Sequence, residues 1–203
     1  MVRGGSPHLG AAARVLGGRY PLGMSIPDFV LELRKHVGTA PLWLAGATAV
    51  IRHPDRERIL LVRRSDNGWW TPVTGIIDPG EHPAHTAVRE AREEAAVDIR
   101  VDRLASLGVS RMVTYANGDR AQYIDHTFAC TYLGGEPHPA DGENTDVRWF
   151  AIDDLPEMSP HMLARIEAGL ADEERTRLAT ATEGTSAEGA TAEDATADGA
   201  AAG

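Results

Sequence analysis

Three glutamates near the middle of the chain are spaced so that they would share one face of a helix. Glu90, Glu93 and Glu94 lie three and four residues apart in a run of good helix formers, and such residues are neighbours on a helix surface. Crowded carboxylates repel each other, so the cluster requires compensation by an arginine, a divalent cation or water. A solvated, salt-bridged face is the ordinary outcome for a glutamate-rich helix.

A glycine-rich loop before the helix favours the cation among these partners. Gly75 and Gly80 bracket a short turn, and Glu81 and Pro83 open the helix. Such a loop can place a backbone carbonyl beside the carboxylates. A ligand set made only of oxygen atoms suits a hard cation, Mg²⁺ or Mn²⁺, which also binds the phosphate oxygens of a substrate.

The segment from Gly75 to Val97 resembles the Nudix box, Gly-x5-Glu-x7-Arg-Glu-U-x-Glu-Glu-x-Gly-U, in which U is a bulky aliphatic residue. Val97 fills the final U position. Six of the seven fixed positions are filled, by Gly75, Glu81, Arg89, Glu90, Glu93 and Glu94. Given average residue usage, six such matches arise by chance at about 10⁻⁸ per window. Trp70 and the run at 146–150 also look like family features.

Departures from the family pattern fall in the helix and the loop. Ala96 stands where the family has glycine, and Ala91 occupies a usually bulkier position. The loop reads Val73-Thr74-Gly75 where many members carry Pro-Gly-Gly, which could change the backbone that faces a metal. Ala96 lies near the predicted helix end, away from the carboxylates, so we expect altered packing rather than lost chemistry.

The resemblance implies a pyrophosphohydrolase that cleaves a phosphoanhydride bond with water activated by a divalent cation. Arg89 would orient the carboxylates, and Glu81 would support the junction between loop and helix. The general base could be one of the helix carboxylates or an acid from another loop, and Glu143 and Asp146 are candidates, although both are as readily read as solvated loop acids. The implied ligands of Mg²⁺ or Mn²⁺ are Glu90, Glu93, Glu94 and the carbonyl of Gly75.

A second group of residues is a candidate for substrate recognition. An aromatic side chain there could stack on a base while polar groups read its edge. The alternative is that Trp70 belongs to the core and that the hairpin residues are merely exposed. The group comprises Trp69, Trp70, Tyr115, Asp119, Gln122 and Tyr123, with Glu143 as a further candidate contact.

The expected partner is a small diphosphate substrate, and a nucleotide derivative is the leading candidate. The sequence leaves open nucleoside triphosphates, ADP-ribose-like sugars, dinucleotides and non-nucleotide diphosphates. A non-catalytic Nudix-fold module that senses a nucleotide is the main alternative, and a purely structural α/β domain is a third. The intact carboxylate set favours catalysis. Family members often form homodimers, so the resemblance implies that this protein forms a homodimer too.

The elements around the box predict a mixed α/β domain, an α/β/α sandwich with a partly antiparallel sheet. A helix capped by Ser25 and ended by Gly38 precedes two strands, and 68–80 reads as loop. The box helix is predicted over Pro83–Asp98. Further predicted elements are strands at Leu44–His53, Ile59–Arg64, Ile99–Tyr115, Gln122–Leu133 and Val147–Ala151, a hairpin turn at 116–119, and a last helix that is capped by Ser159 and runs to about Leu170.

Composition divides the chain into three parts. Residues 1–23, with a charge of +3, are predicted to be a flexible extension, either upstream of a natural start at Met24 or a short functional arm. Residues 24–170, with a charge of −7, form the predicted domain, and 171–203, with a charge of −6, a disordered acidic tail. The domain lacks a basic stripe, so no nucleic acid polymer is expected as a partner.

No apolar stretch approaches the length of about 20 residues needed to span a bilayer, so no membrane association is expected. Arg3 is not followed by the apolar core of a signal peptide, and we expect a cytoplasmic protein. The single cysteine, Cys130, excludes an intrachain disulfide, and its alternating apolar surroundings indicate a buried side chain.

Overall fold

The computed structural model describes residues 26–178. The predicted extension at 1–23, the predicted cap Ser25 and residues 179–203 of the predicted tail lie outside these residues. The elements, in chain order, are α1 Asp28–Val37, β1 Leu42–Arg52, β2 Arg58–Arg64, β3 Trp70–Thr71, β4 Val73–Ile76, α2 Pro83–Ala95, β5 Val97–Val109, β6 Val113–Thr114, β7 Arg120–Gly135, β8 Asn144–Ala151, α3 Pro160–Leu170 and β9 Arg177–Leu178.

The strands of the described region form one mixed sheet. Its main order is β3-β2-β1-β7-β5-β9, with β4 paired to β1, β6 to β7 and β8 to β2. β1 and β7 run parallel in unbroken register from Leu42 opposite Ala121 to Arg52 opposite Thr131. β5 and β9 are also parallel, whereas the other pairs are antiparallel. The predicted mixed, partly antiparallel sheet is confirmed.

Helices cover both faces of this sheet because its central strands are apolar on both sides. On β2, Leu60 and Val62 face α2, whereas Ile59 and Leu61 face α3. The α2-side core includes Ala47, Ala49, Ile51, Leu60, Val62, Ala87, Ala91 and Ala95. The α3-side core comprises Ile59, Leu61, Met158, Met162 and Ile166. This arrangement confirms the predicted α/β/α sandwich.

Helix α1 covers a third apolar cluster, the α1-side core. The helix begins later than the sequence predicted, because Pro27 occupies the N-cap and Asp28 is the first helical residue. Its end at Gly38 agrees with the prediction, and Gly38 has a φ of 59°, a conformation that glycine adopts readily. The α1-side core consists of Val30, Leu44, Ile76, Val113, Ala121 and Tyr123.

The predicted loop over 68–80 is partly wrong, because β3 and β4 lie within it. Val73 to Ile76 pair with β1, and Gly75 stands opposite Ala47. These strand hydrogen bonds come from a segment distant in sequence, so the local Gly/Pro content did not reveal them. The remaining loop, 77–82, includes Gly80 with a φ of 88°.

The box helix ends at Ala95 rather than at Asp98. Ala96 adopts a left-handed conformation, with φ 56° and ψ 34°, and β5 begins directly afterwards at Val97. Ala91, the other helical departure from the family pattern, is fully buried in the α2-side core. Both departures therefore concern packing and the helix end, and neither side chain belongs to the carboxylate face.

The predicted cap of the last helix is confirmed, because the Ser159 side chain accepts a hydrogen bond from the backbone N–H of Met162.

The described fold also continues past Leu170, the predicted domain boundary. Its short strand β9 pairs with β5, with Ser106 opposite Arg177. Among the described residues, no helix has the length and apolarity needed to cross a membrane.

Candidate active site

The carboxylate helix and the glycine strand approach each other very closely. An ideal Cβ built on Gly75 would lie 2.0 Å from Glu90 Oε1, 2.1 Å from its Cδ and 2.4 Å from its Cγ. Real side chains do not tolerate such distances, so only glycine at position 75 leaves room for Glu90 where it lies. Glycine is required here because a side chain would not fit. Its backbone conformation is not the reason, since the φ angle of Gly75 is not positive.

Arg89 forms hydrogen bonds with two acidic side chains of α2 and with one in the loop before it. Its Nη1 donates to Glu90 Oε1 at 2.7 Å and to Glu93 Oε2 at 2.8 Å. Its Nε and Nη2 donate to the two Glu81 carboxylate oxygens at 3.1 and 3.0 Å, and Nη2 also reaches the carbonyl of Ile76 at 3.3 Å. One guanidinium therefore fixes three carboxylates relative to strand β4, a geometry for which the planar fork of arginine is suited.

Glu81 connects the loop to the first turns of α2. Besides the two bonds from Arg89, its carboxylate accepts a hydrogen bond from the Thr86 hydroxyl at 2.7 Å. Its backbone N–H donates to the carbonyl of Asp78 at 2.9 Å, which closes the turn before the helix. Glu81 thus holds the loop–helix junction while its own negative charge is balanced by Arg89.

Glu94 differs from its two neighbours because it is buried, with 3% of its surface exposed. Asn144, the first residue of β8, donates from Nδ2 to Glu94 Oε2 at 3.1 Å. Glu93, by contrast, has half of its side chain exposed, and Glu90 lies between these extremes. The three carboxylates therefore run from the interior to the surface along one side of α2.

A cavity of about 780 Å³ lies beside Arg89, Glu90 and Glu93. Its wall brings together the box loop, α2, the start of α1 and the loop between β7 and β8. The lining residues are Pro27, Asp28, Phe29, Gly75, Ile76, Asp78, Pro79, Arg89, Glu90, Glu93, Asp141 and Glu143. Glu94 is absent from this lining, and its side chain is buried.

The cavity contains residues that the sequence did not single out. Asp141 lies beside the candidate base Glu143, whose backbone N–H donates to Asp141 Oδ1 at 2.9 Å. Asn144 follows them and binds Glu94. The Asp-Gly-Glu-Asn run at 141–144 carried a turn signal, yet nothing in its spacing connected it to α2.

Carboxyl groups are concentrated around the cavity. Burial raises the pKa of Glu90 to about 8, although Arg89 opposes the shift. Burial also raises the pKa of Glu94 well above its usual range, and the nearby carboxylates of Glu90, Glu143 and Asp141 add to that rise. A cation placed here would offset both effects, since it favours the charged form of each carboxylate.

The residues fit a hard divalent cation by the chemistry of their donors. All of them are oxygen ligands, as Mg²⁺ and Mn²⁺ require, and Gly75 leaves the space in which Glu90 lies against the strand. Within residues 26–178, no three His, Cys, Asp or Glu side chains already converge as a metal-ligand group. Arg89 donates to one carboxylate oxygen each of Glu90 and Glu93.

The two tryptophans proposed for substrate recognition do not line this cavity. Trp70 packs at the α3-side core, with its ring 4.8 Å from that of Phe150 and the guanidinium of Arg148 over its face. Trp69 lies half-buried in the turn between β2 and β3, where its carbonyl accepts a bond from the backbone N–H of Arg64. The core alternative considered for Trp70 describes its position.

The hairpin residues are buried or partly buried, so the alternative that they are merely exposed does not describe them. The hydroxyls of Tyr115 and Tyr123 lie 2.7 Å apart, and Tyr123 is fully buried. Gln122 donates to the carbonyl of Ser110 at 3.0 Å. Asp119 forms an ion pair with Arg34 of α1. Of the residues proposed for recognition, only Glu143 lies at the cavity.

Asp146, the second candidate base, lies on β8 and pairs with Arg148, away from the cavity lining.

Cys130 is buried in the α2-side core, and burial raises the pKa of its thiol. Its predicted position in the interior is confirmed.

Fold and site together define a class: an α/β/α sandwich in which one helix after a glycine loop presents acidic residues to a cavity. Residues 43–171 match the model of the NUDIX domain, which is more than half of the chain. The chain therefore belongs to the NUDIX family. Helix α1 and strand β9 lie outside the matched residues.

Curated relatives show similarity over part of their length. MutT4 of Mycobacterium tuberculosis is 33% identical over 129 residues, 64% of this chain and 48% of that protein. A MutT-like protein of Streptomyces ambofaciens is 29% identical over 124 residues, 61% and 74% of the two chains. Dihydroneopterin triphosphate diphosphatase of Escherichia coli K12 is 34% identical over 104 residues, 51% and 61%. The chain thus spans about half the length of the first of these relatives.

A solved structure of a UDP-X diphosphatase shares the fold. It superposes with a TM-score of 0.52 at 22% identity, and the match covers 75% of this chain and 74% of that one. At that identity the likeness concerns the architecture.

Proposed function

We propose that this chain is a pyrophosphohydrolase that uses Mg²⁺ or Mn²⁺ to cleave a phosphoanhydride bond in a small diphosphate substrate, with a nucleotide derivative as the leading candidate. The proposal rests on one observation. Gly75 has no side chain and so leaves room for the Glu90 carboxylate, at a cavity that Glu93 and Glu143 also line. Family membership supports it, because relatives are named as a diphosphatase and as an NAD-capped RNA hydrolase.

The residues that would hold the cation are Glu90, Glu93 and Glu94, together with the carbonyl of Gly75. When bound, a divalent cation neutralises diphosphate oxygens and lowers the pKa of a coordinated water. Asn144 fixes the buried Glu94 carboxylate, so that this ligand is positioned from the interior.

Arg89 and Glu81 act on the helix rather than on the substrate. Arg89 holds Glu90 and Glu93 in one orientation, and Glu81 keeps Arg89 in place through two hydrogen bonds. In this way the carboxylates are aligned before a ligand arrives, which reduces the reorganisation needed during the reaction.

Glu143 is the proposed general base, because it lines the cavity, whereas Asp146 lies on β8 away from the lining. It would accept the proton of the attacking water as the water oxygen bonds to phosphorus and the bridging P–O bond breaks, leaving a phosphate or a nucleoside phosphate as the leaving group. Asp141 is adjacent and could share this role.

The proposal is tested with a substrate panel in Mg²⁺ and in Mn²⁺. It contains nucleoside triphosphates, ADP-ribose, a dinucleotide and dihydroneopterin triphosphate, and products are identified by mass after reaction in ¹⁸O-labelled water. We expect turnover of at least one substrate, with one ¹⁸O atom in a phosphate product. A Glu143→Gln variant should retain metal binding and lose turnover. Binding of the panel without turnover would favour the nucleotide-sensing alternative.

A further inference from the structure

The start of helix α1 contributes to the wall of the cavity that holds the carboxylates, with one apolar residue on either side of the acidic Asp28. Phe29 and Pro27 line it from the start of α1, and Ile76 lines it from β4. The helix precedes the residues that match the family, 43–171, so this wall is supplied by a part of the chain that lies outside the family match.

Phe29 is half-buried, and it connects the cavity to the interior. It packs against the α1-side core, in which Val30, Leu44 and Ile76 are buried. Because Phe29 also lines the cavity and is only partly buried, part of its surface is available to a ligand. A phenyl ring supported in this way offers a planar apolar surface at small entropic cost, which suits stacking with another flat ring.

Arg34 fixes the position of α1 relative to the sheet. Its side chain is buried and donates to the carbonyls of Gly38 at 3.0 Å, Ala40 at 2.6 Å and Arg120 at 2.7 Å. It also pairs with Asp119 at 3.5 Å, with both side chains almost fully buried. These bonds attach the helix to the start of β7, so Phe29 projects from a rigid support.

We propose that Phe29, which packs on the core cluster that contains the buried Ile76, is the subsite for a planar heteroaromatic ring of the substrate, the ring of a nucleobase or of a pterin. The assignment rests on the proposed function and specifies its substrate class. It replaces Trp69, Trp70, Tyr115, Gln122 and Tyr123 as the ring-binding surface. The phosphates would then lie at Glu90 and Glu93, which share the cavity with Phe29.

The test compares substrates with and without a flat ring. Phe29→Ala should raise KM about tenfold for ring-bearing substrates, within the range that aromatic stacking contributes to base binding, and leave kcat unchanged. KM for phosphoribosyl pyrophosphate, a diphosphate without a base, should not change. Phe29→Tyr should keep the wild-type KM, and Phe29→Leu should show an intermediate value. Nucleoside triphosphates and dihydroneopterin triphosphate distinguish a nucleobase from a pterin.

Phe150→Ala is the matched control, since it removes the same ring from the α3-side core, away from the cavity. It should leave the ratio of KM values between ring-bearing and ringless substrates unchanged. A Phe29→Ala variant that alters both KM values equally, or neither, overturns the subsite. Thermal unfolding of each variant establishes that it is folded.

Calorimetric titration with α,β-methylene-ADP and a methylene pterin analogue separates this inference from the proposed function. We expect wild-type binding of at least one analogue, weakened about tenfold in Phe29→Ala and unchanged in Phe150→Ala. If binding behaves in this way without turnover of any substrate, the hydrolase proposal alone fails. If turnover occurs and Phe29→Ala alters neither binding nor KM, the subsite alone fails. Absence of binding of every ring-bearing analogue also overturns the subsite.

Discussion

Glu94 shows how burial separates residues that the sequence presents as equivalent. Glu90, Glu93 and Glu94 share one side of α2, yet Glu94 is enclosed and held by Asn144, whereas Glu93 is half exposed. A buried carboxylate without a cation is costly, which is the reason for its raised pKa. We therefore expect Glu94 to depend on the bound cation more than its neighbours do.

Glu94→Gln should lower kcat by about a hundredfold or more, within the range that positioned acidic groups contribute to catalysis. The fold should remain, because glutamine has nearly the same shape and can still accept a hydrogen bond from Asn144. The measurement is Mg²⁺-dependent turnover with circular dichroism. Glu167→Gln, the same change on an exposed position of α3, should have no effect. Undiminished turnover in Glu94→Gln removes this residue from the catalytic role.

Gly75→Ala tests the close approach of β4 to α2. The added methyl would overlap Glu90, so that side chain must move, and we expect loss of activity together with about 1–3 kcal/mol of stability. Urea unfolding and turnover measure the two effects. Gly108→Ala is the control, since a Cβ there would meet nothing within 4 Å. Equal stability and activity in both variants would contradict the packing argument.

At the scale of secondary structure, the end of α2 explains the departure of Ala96 from the family glycine. A left-handed conformation costs an L-residue about 1–2 kcal/mol, whereas glycine adopts it freely. The chain accepts this cost where α2 turns into β5, with no change at the carboxylate face. We therefore expect the departure to affect stability and not catalysis.

Ala96→Gly should stabilise the protein by about 0.5–1 kcal/mol, because relief of backbone strain exceeds the extra entropy of glycine in the unfolded chain. Turnover should stay as in the wild type. Ala164→Gly, at an exposed position within α3, should instead destabilise by about 1 kcal/mol. Chemical denaturation of the two variants gives both values, and a loss of stability in Ala96→Gly would disprove the strain argument.

At the scale of the whole molecule, the site is assembled from four separate parts of the chain. The start of α1, strand β4, helix α2 and the loop before β8 meet at one cavity. A cation bound to the folded protein alone should raise its stability by an amount set by its affinity, about 2.7 kcal/mol at a hundred times Kd.

Addition of Mg²⁺ or Mn²⁺ should therefore raise Tm, by about 2–4 °C for each kcal/mol of stabilisation, and chelation should reverse the rise. Differential scanning calorimetry in matched ionic strength measures the shift. A Glu93→Gln, Glu94→Gln double variant should show no metal-dependent shift. An equal shift in that variant would place the cation elsewhere on the molecule.

The chemistry of the box could be predicted from the sequence because it is local. Arg89, Glu90 and Glu93 are close in the chain, and the helical repeat alone brings them to one side. The strand at β2 and the cap at Ser159 were equally accessible, since apolar runs and capping residues act over a few positions.

Tertiary structure alone decided which residue holds Glu94 and which part of the chain lines the cavity beside β4. Asn144 reaches Glu94 across fifty residues, and Phe29 reaches the cavity because Arg34 holds α1 against the start of β7. Packing against Phe150 placed Trp70 at the α3-side core, although an aromatic side chain suited stacking on a base. Sequence determined which groups could bind a cation, whereas long-range pairing determined which surfaces would surround them, because contacts between distant segments leave no local repeat in the sequence.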